Sequence, residues 1–111
     1  MEKAGFVDGR HYTAYVDEVR RRKREGALPN AECLLLRLIE ATEAEARENR
    51  WGVAPWYYEQ LAIIYSKKKD RAAELAALER YEKQTKAPGA RPSKLAARLD
   101  RLRAKIGPST S

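Results

Sequence analysis

The sequence predicts an all-α fold. Apolar residues recur at i, i+3, i+4 and i+7 along most of the chain, and no segment alternates with the period of two that a half-buried strand requires. Helix-boundary residues (Gly26, Pro29, Pro55 and Asp70) stand where those periodic stretches stop and start. At 111 residues and 12.7 kDa the chain can bury one modest core, which excludes doubly wound sheets and barrels.

The first helix is predicted over residues 13–25, after an N-terminal segment of residues 1–11. Tyr12, Tyr15, Val16 and Val19 form one stripe, and Gly26 offers the left-handed conformation that ends a helix. The second helix starts at Pro29, whose fixed φ suits a first helical position, and runs to residue 49. Its apolar set (Ala31, Leu34, Leu35, Leu38, Ile39 and Thr42, with Leu36 and Cys33) is wider than one stripe, so it is expected to pack on more than one side. Cys33 is read as a small buried hydrophobe.

After a turn at Trp51, Gly52 and Val53, Pro55 opens a third helix with Tyr58, Leu61, Ala62 and Tyr65 at helical spacing. Asp70 offers an N-cap oxygen to a fourth helix over residues 71–84, whose alanines permit close helix approach. Residues 85–93, with two prolines and a glycine, read as a linker. Ser93 is expected to cap a fifth, amphipathic helix over residues 94–106, in which Leu95, Leu99, Leu102 and Ile106 repeat with 4, 3, 4 spacing. Gly107 and Pro108 stop it, and residues 107–111 are expected to be a disordered tail.

Charge is uneven. Of the formal net charge of +7, residues 86–111 contribute most, with seven basic residues against one acid. Two further runs are Arg20, Arg21, Arg22, Lys23 and Arg24, and Lys67, Lys68 and Lys69, each near a predicted helix end. Cations there complement the helix dipole by a few tenths to about 1 kcal/mol. That accounts for some of them, but five in succession leave an electrostatic partner open.

Catalytic and metal chemistry find little support. His11, the sole histidine, accompanies no recognisable nucleophile motif and is read as a cap or surface group. Glu40, Glu43, Glu45 and Glu48, interleaved with Arg47 and Arg50, are read as a solvated helix face with i,i+4 pairs. The single cysteine allows no internal disulfide and no cysteine-based zinc site, and no glycine-rich phosphate loop is present. The expectation is a protein without cofactor or enzymatic activity. The longest apolar run is broken by Arg37, far short of the roughly 20 residues of a membrane span. The opening MEKAGFVDGRHY lacks the apolar core of a secretory signal, so a cytoplasmic protein is expected.

Two successive helix pairs suggest an internal repeat. Tyr58-x-x-Leu61-Ala62-x-x-Tyr65 followed by Lys67, Lys68, Lys69 and Asp70 resembles the first half of a tetratricopeptide repeat. Gly26-x-Leu28-x-x-Ala31-x-x-x-Leu35-x-x-Leu38 resembles its second half. On one frame the units begin at Tyr12 and Pro55, a period of 43 residues, and Glu74 and Arg71 stand where the family has an alanine and a tyrosine. The resemblance implies two antiparallel helical hairpins over residues 12–84, with the fifth helix as a capping, solvating element. It also implies a peptide- or protein-binding groove formed by the first helix of each pair. Its positions are Thr13, Val16, Arg20 and Lys23 in one unit, and Trp56, Glu59, Ile63 and Ser66 in the other. Val16 stands where the family's carboxylate clamp has a lysine, so a reader of peptide C-termini is not implied.

The leading expectation is therefore an adaptor for a protein or peptide partner, acidic in character, with Trp56 as an anchor. Trp51, Trp56, Tyr57 and Tyr58 crowd one turn and divide between core and a binding platform, with Tyr58 the clearest core position. The alternative is a nucleic-acid-binding accessory protein whose phosphate contacts come from Arg20, Arg21, Arg22, Lys23, Arg24, Lys67, Lys68, Lys69, Arg98, Arg101 and Lys105. The narrow stripe of the fifth helix would also suit self-association.

Overall fold

The computed structural model describes residues 3–86 and 91–106. It is all-α apart from one short hairpin. Among the described residues, strands β1 (Phe6–Val7) and β2 (Arg10–His11) precede a 3₁₀ turn (Tyr12–Tyr15) and five helices. These are α1 (Val16–Arg24), α2 (Leu28–Asn49), α3 (Pro55–Lys67), α4 (Arg71–Glu82) and α5 (Arg91–Ile106). Among the described residues no helix is long and apolar enough to cross a membrane. The expected linker centre at residues 87–90, the stop at Gly107 and Pro108 and the tail at 107–111 lie outside the described residues.

The hairpin corrects the expectation that no strand would form. Asp8 and Gly9 both take positive φ (50° and 82°), the combination a two-residue type I′ loop requires. Val7 turns into the core, Tyr15 Oη donates to its carbonyl at 2.6 Å, and Arg37 of α2 grips Asp8 with two bonds of 3.0 and 2.8 Å. Gly5 passes so close to α2 that a Cβ there would fall 2.5 Å from Glu45 Oε2. The first helix consequently begins later than expected: residues 12–15 form the 3₁₀ turn, capped by His11, whose side chain accepts from the Thr13 N–H.

Helix α1 ends in a Schellman motif, with the Gly26 N–H on Lys23 O at 3.1 Å and the Ala27 N–H on Arg22 O at 2.9 Å. Helix α2 buries Ala31, Leu34, Leu35, Leu38, Ile39, Ala41, Thr42 and Ala46, the broad arc its composition predicts. Cys33 does not belong to that arc. At about 100° per residue it falls roughly 200° round the helix from Ala31, and it is exposed, contrary to expectation. Helix α3 opens on Pro55, with the Ala54 N–H on Thr42 Oγ1 at 3.0 Å, and α4 is capped by Asp70 Oδ1, which accepts from the Ala73 N–H at 3.0 Å.

The end of α3 repeats the Schellman geometry without a glycine. Lys69 takes φ +59°, its N–H donates to Ser66 O at 3.0 Å, and the Asp70 N–H reaches Tyr65 O at 2.9 Å. A left-handed conformation with a Cβ costs about 1 kcal/mol. Helix α5 begins two residues before Ser93, with Pro92 in its first turn, so Ser93 lies inside the helix. Leu95, Leu99 and Leu102 are buried against α4 and α3, while Ile106 is exposed. The stripe that could have served self-association is thus covered within the chain.

Helix α3 is the hub, packed on α2, α4 and α5. Its Tyr58 is wholly buried and donates to Glu43 Oε2 at 2.7 Å, while Arg80 of α4 reaches the same carboxylate at 2.8 and 2.9 Å. The reading of Glu43 and Glu45 as solvated is therefore corrected: Glu43 is buried between three helices, and Glu45 is held by His11 Nε2 at 2.7 Å. Glu40 and Glu48 are exposed, as expected.

Candidate anion-binding end of the bundle

Antiparallel succession brings the basic runs together. The C-terminal end of α3 lies beside the N-terminal turn of α2, where Glu32 accepts from Tyr65 Oη at 2.8 Å and from Lys68 Nζ at 3.0 Å. The same end of α3 meets Arg24 of α1 on one side and the last turns of α5 on the other. Two depressions open there. A shallow one of about 310 Å³ is lined by Arg20, Lys23, Arg24 and Lys67. A deeper one of about 430 Å³ lies between α3, α4 and α5. Lys69, Arg71, Arg101 and Lys105 surround the paired Arg98 and Glu74, with Ser66 and Leu102 completing its lining.

At this end of the bundle the structure sorts the cations into two kinds. Arg20 lies over the Trp56 ring at 5.7 Å and 4.0 Å from Asp17, and Arg21 lies 4.0 Å from Glu25. Arg22 pairs with Glu18 and donates to Asn30 O at 3.1 Å, and Lys23 donates to Gln60 Oε1. Lys68 is held by Glu32, and Arg98 Nε by Glu74 at 3.2 Å. Arg24, Lys67, Lys69, Arg71, Arg101 and Lys105 have no partner among the described residues. All six line the two depressions. Sequence reasoning anticipated five of them and missed Arg71, which is adjacent to the lysine run but was read only as a departure from the repeat pattern.

Electrostatics reflect the crowding. Burial, and then the neighbouring Lys67 charge, hold the Lys23 ammonium below the usual lysine range. The hydrogen bond from Lys68 keeps the Glu32 carboxyl below the usual carboxylate range, so that acid remains charged and committed to its partners.

The groove positions implied by the repeat resemblance behave differently. Trp56 is partly buried, set edge-on to Tyr57 with ring centroids 5.0 Å apart and covered by Arg20, whereas Trp51 is the exposed tryptophan. Val16 packs against the core, Ile63 and Glu59 are partly buried, and Ser66 opens to the deeper depression. Thr13 Oγ1 lies 2.9 Å from His11 Nδ1, which also accepts from the Thr13 backbone N–H, the geometry of a cap. Helices α1 and α3 are thus joined by long side chains, Lys23 to Gln60 and Arg20 over Trp56, while Tyr57 Oη donates to Tyr12 O of the 3₁₀ turn at 3.4 Å.

Among the described residues no group of three or more His, Cys, Asp or Glu side chains is arranged to hold a metal ion. What this end of the bundle can do chemically is attract and hold negative charge. No protein-family model, no curated protein and no solved structure matches the chain.

Proposed function

We propose that the protein is a non-catalytic, tetratricopeptide-like interaction module that holds an acidic segment of a protein partner against the basic end of its helices. One observation carries this reading: six cations without a partner among the described residues gather in the two depressions flanking the end of α3. Like charges gathered in a concave surface repel one another and focus a positive potential, and a bound anion relieves both. Helix α3 touching α2, α4 and α5 supports the repeat-like stacking on which such modules build their surfaces. An acidic peptide suits the site better than a nucleic acid because neither depression carries an aromatic side chain on which a base could stack.

The test is a fluorescence-anisotropy titration with an Asp/Glu-rich peptide at low and moderate salt, beside the variant Lys67→Glu, Lys69→Glu, Arg101→Glu, Lys105→Glu. Taking each exposed charge at about 0.7 kcal/mol, the fourfold reversal weakens binding roughly a hundredfold. Binding that ignores the reversal refutes the proposal, as does tighter, variant-sensitive binding of DNA or RNA, which would install the nucleic-acid reading instead.

A further inference from the structure

The deeper depression, between α3, α4 and α5, carries more positive charge than a carboxylate would require. Glu74 is buried and committed to Arg98, which leaves Lys69, Arg71, Arg101 and Lys105 around the same space with no counter-charge among the described residues. The acids nearest in sequence do not line the depression: Asp70 turns its carboxylate to the Ala73 N–H, and Asp100 lines a separate pocket between α4 and α5. A peptide carboxylate brings one negative charge. A phosphate monoester brings nearly two at neutral pH and three strong acceptor oxygens. Arg71 and Arg101 supply planar guanidinium groups suited to bidentate bonds with such oxygens, and Lys69 and Lys105 supply point charges.

Backbone geometry points the same way. Lys69 occupies the left-handed position of the turn closing α3, where glycine fits without strain, and its side chain lines the depression. Glycine would close the turn more easily and would leave the depression one charge poorer. Arg50 takes the same left-handed conformation at the end of α2; what distinguishes Lys69 is the charge it brings to the depression.

We infer that this depression takes a phosphoryl dianion, so that the acidic partner is read at a phosphorylated side chain. The inference rests on the acidic-partner reading above. Isothermal titration calorimetry on the full chain compares four probes: an Asp/Glu-rich peptide with one phosphoserine, the same peptide with serine, inorganic phosphate, and an oligonucleotide of equal charge. The phosphopeptide binds at least about tenfold more tightly than the serine peptide. Lys69→Gly and the pair Arg101→Gln, Lys105→Gln each remove that preference, whereas Arg24→Gln, Lys67→Gln in the shallow depression retains it. Lys69→Gly melts at the same or a higher temperature than the parent, which separates a lost charge from a lost fold.

Equal affinity for the two peptides overturns the phosphoryl assignment and leaves the acidic-partner reading in place. Binding of neither peptide overturns both. Inorganic phosphate binding as tightly as the phosphopeptide would make the free ion the ligand and overturn the peptide source. Tighter binding of the oligonucleotide, lost in the same variants, overturns the inference in favour of a nucleic-acid backbone.

Discussion

Replacing Glu43 by alanine probes a buried carboxylate that joins three helices. Glu43 accepts from Tyr58 at 2.7 Å and from Arg80 at 2.8 and 2.9 Å, and is itself 8% exposed. In the alanine variant the Tyr58 hydroxyl, on a residue with no exposure, is left without an acceptor, at a cost of about 1–3 kcal/mol. Arg80, with 36% of its side chain exposed, recovers water, so its loss is discounted to below about 1 kcal/mol. The one lost methylene, Cγ, adds about 0.8 kcal/mol. The variant is expected to lose about 3 kcal/mol, equivalent to roughly 15 °C in Tm for a domain of this size. Urea unfolding followed by circular dichroism reads this as a lowered midpoint at constant slope.

Glu43→Gln keeps the volume and an acceptor for Tyr58, and should lose about half as much. Burial alone would raise the Glu43 carboxyl, but the bonds from Arg80 and Tyr58 outweigh it and hold it below the ordinary value of 4.5. Its contribution is therefore full above pH 4.5 and is lost as pH falls through the depressed value, a loss the glutamine variant should not show. A loss of less than about 1 kcal/mol in Glu43→Ala would refute the reasoning, because it would mean that Tyr58 finds another partner.

Leu99, 3% exposed on α5, should cost about 3 kcal/mol when cut to alanine, with amide exchange accelerating first in α5, which packs only on α4 and α3 among the described helices. Uniform acceleration would show that α5 does not open separately. Burial pushes the phenols of Tyr57 and Tyr58 above the usual tyrosine range and that of Tyr65 up to about 12. These groups favour the folded state fully below pH 10, and that stability is lost as pH rises toward the raised values; phenolate absorbance should show them ionising only as the protein unfolds. Cys33, exposed on α2, should react with an aromatic disulfide reagent in the native protein as fast as a small thiol does; protection would place it back in the core.

The helices were legible because periodicity and boundary residues agreed, as with Pro55 at the start of α3 and Asp70 at the cap of α4. The hairpin was missed although Asp8-Gly9 is a strong turn signal, since strands of two residues are too short to alternate. Cys33 was misplaced because a wide apolar set gives no exact edge to the buried arc. Glu43 and Glu45 could not be told from Glu40 and Glu48, because their partners Tyr58, Arg80 and His11 come from other elements. The basic runs were visible as counts of charge. Which of those cations are committed depends on acids such as Glu32 and Glu74, and only tertiary contacts reveal them.

The partnerless cations at one end of the bundle are proposed to form the binding surface. Backbone chemical-shift mapping of isotope-labelled protein titrated with an Asp/Glu-rich peptide tests this proposal most directly. The largest shifts are expected at Arg24, at Lys67, Lys69 and Arg71, and at Arg101 and Lys105, with little change at Trp51, Arg47 or the hairpin. Shifts centred on Trp51 and the opposite end of α2, or spread evenly over all exposed cations, would contradict it.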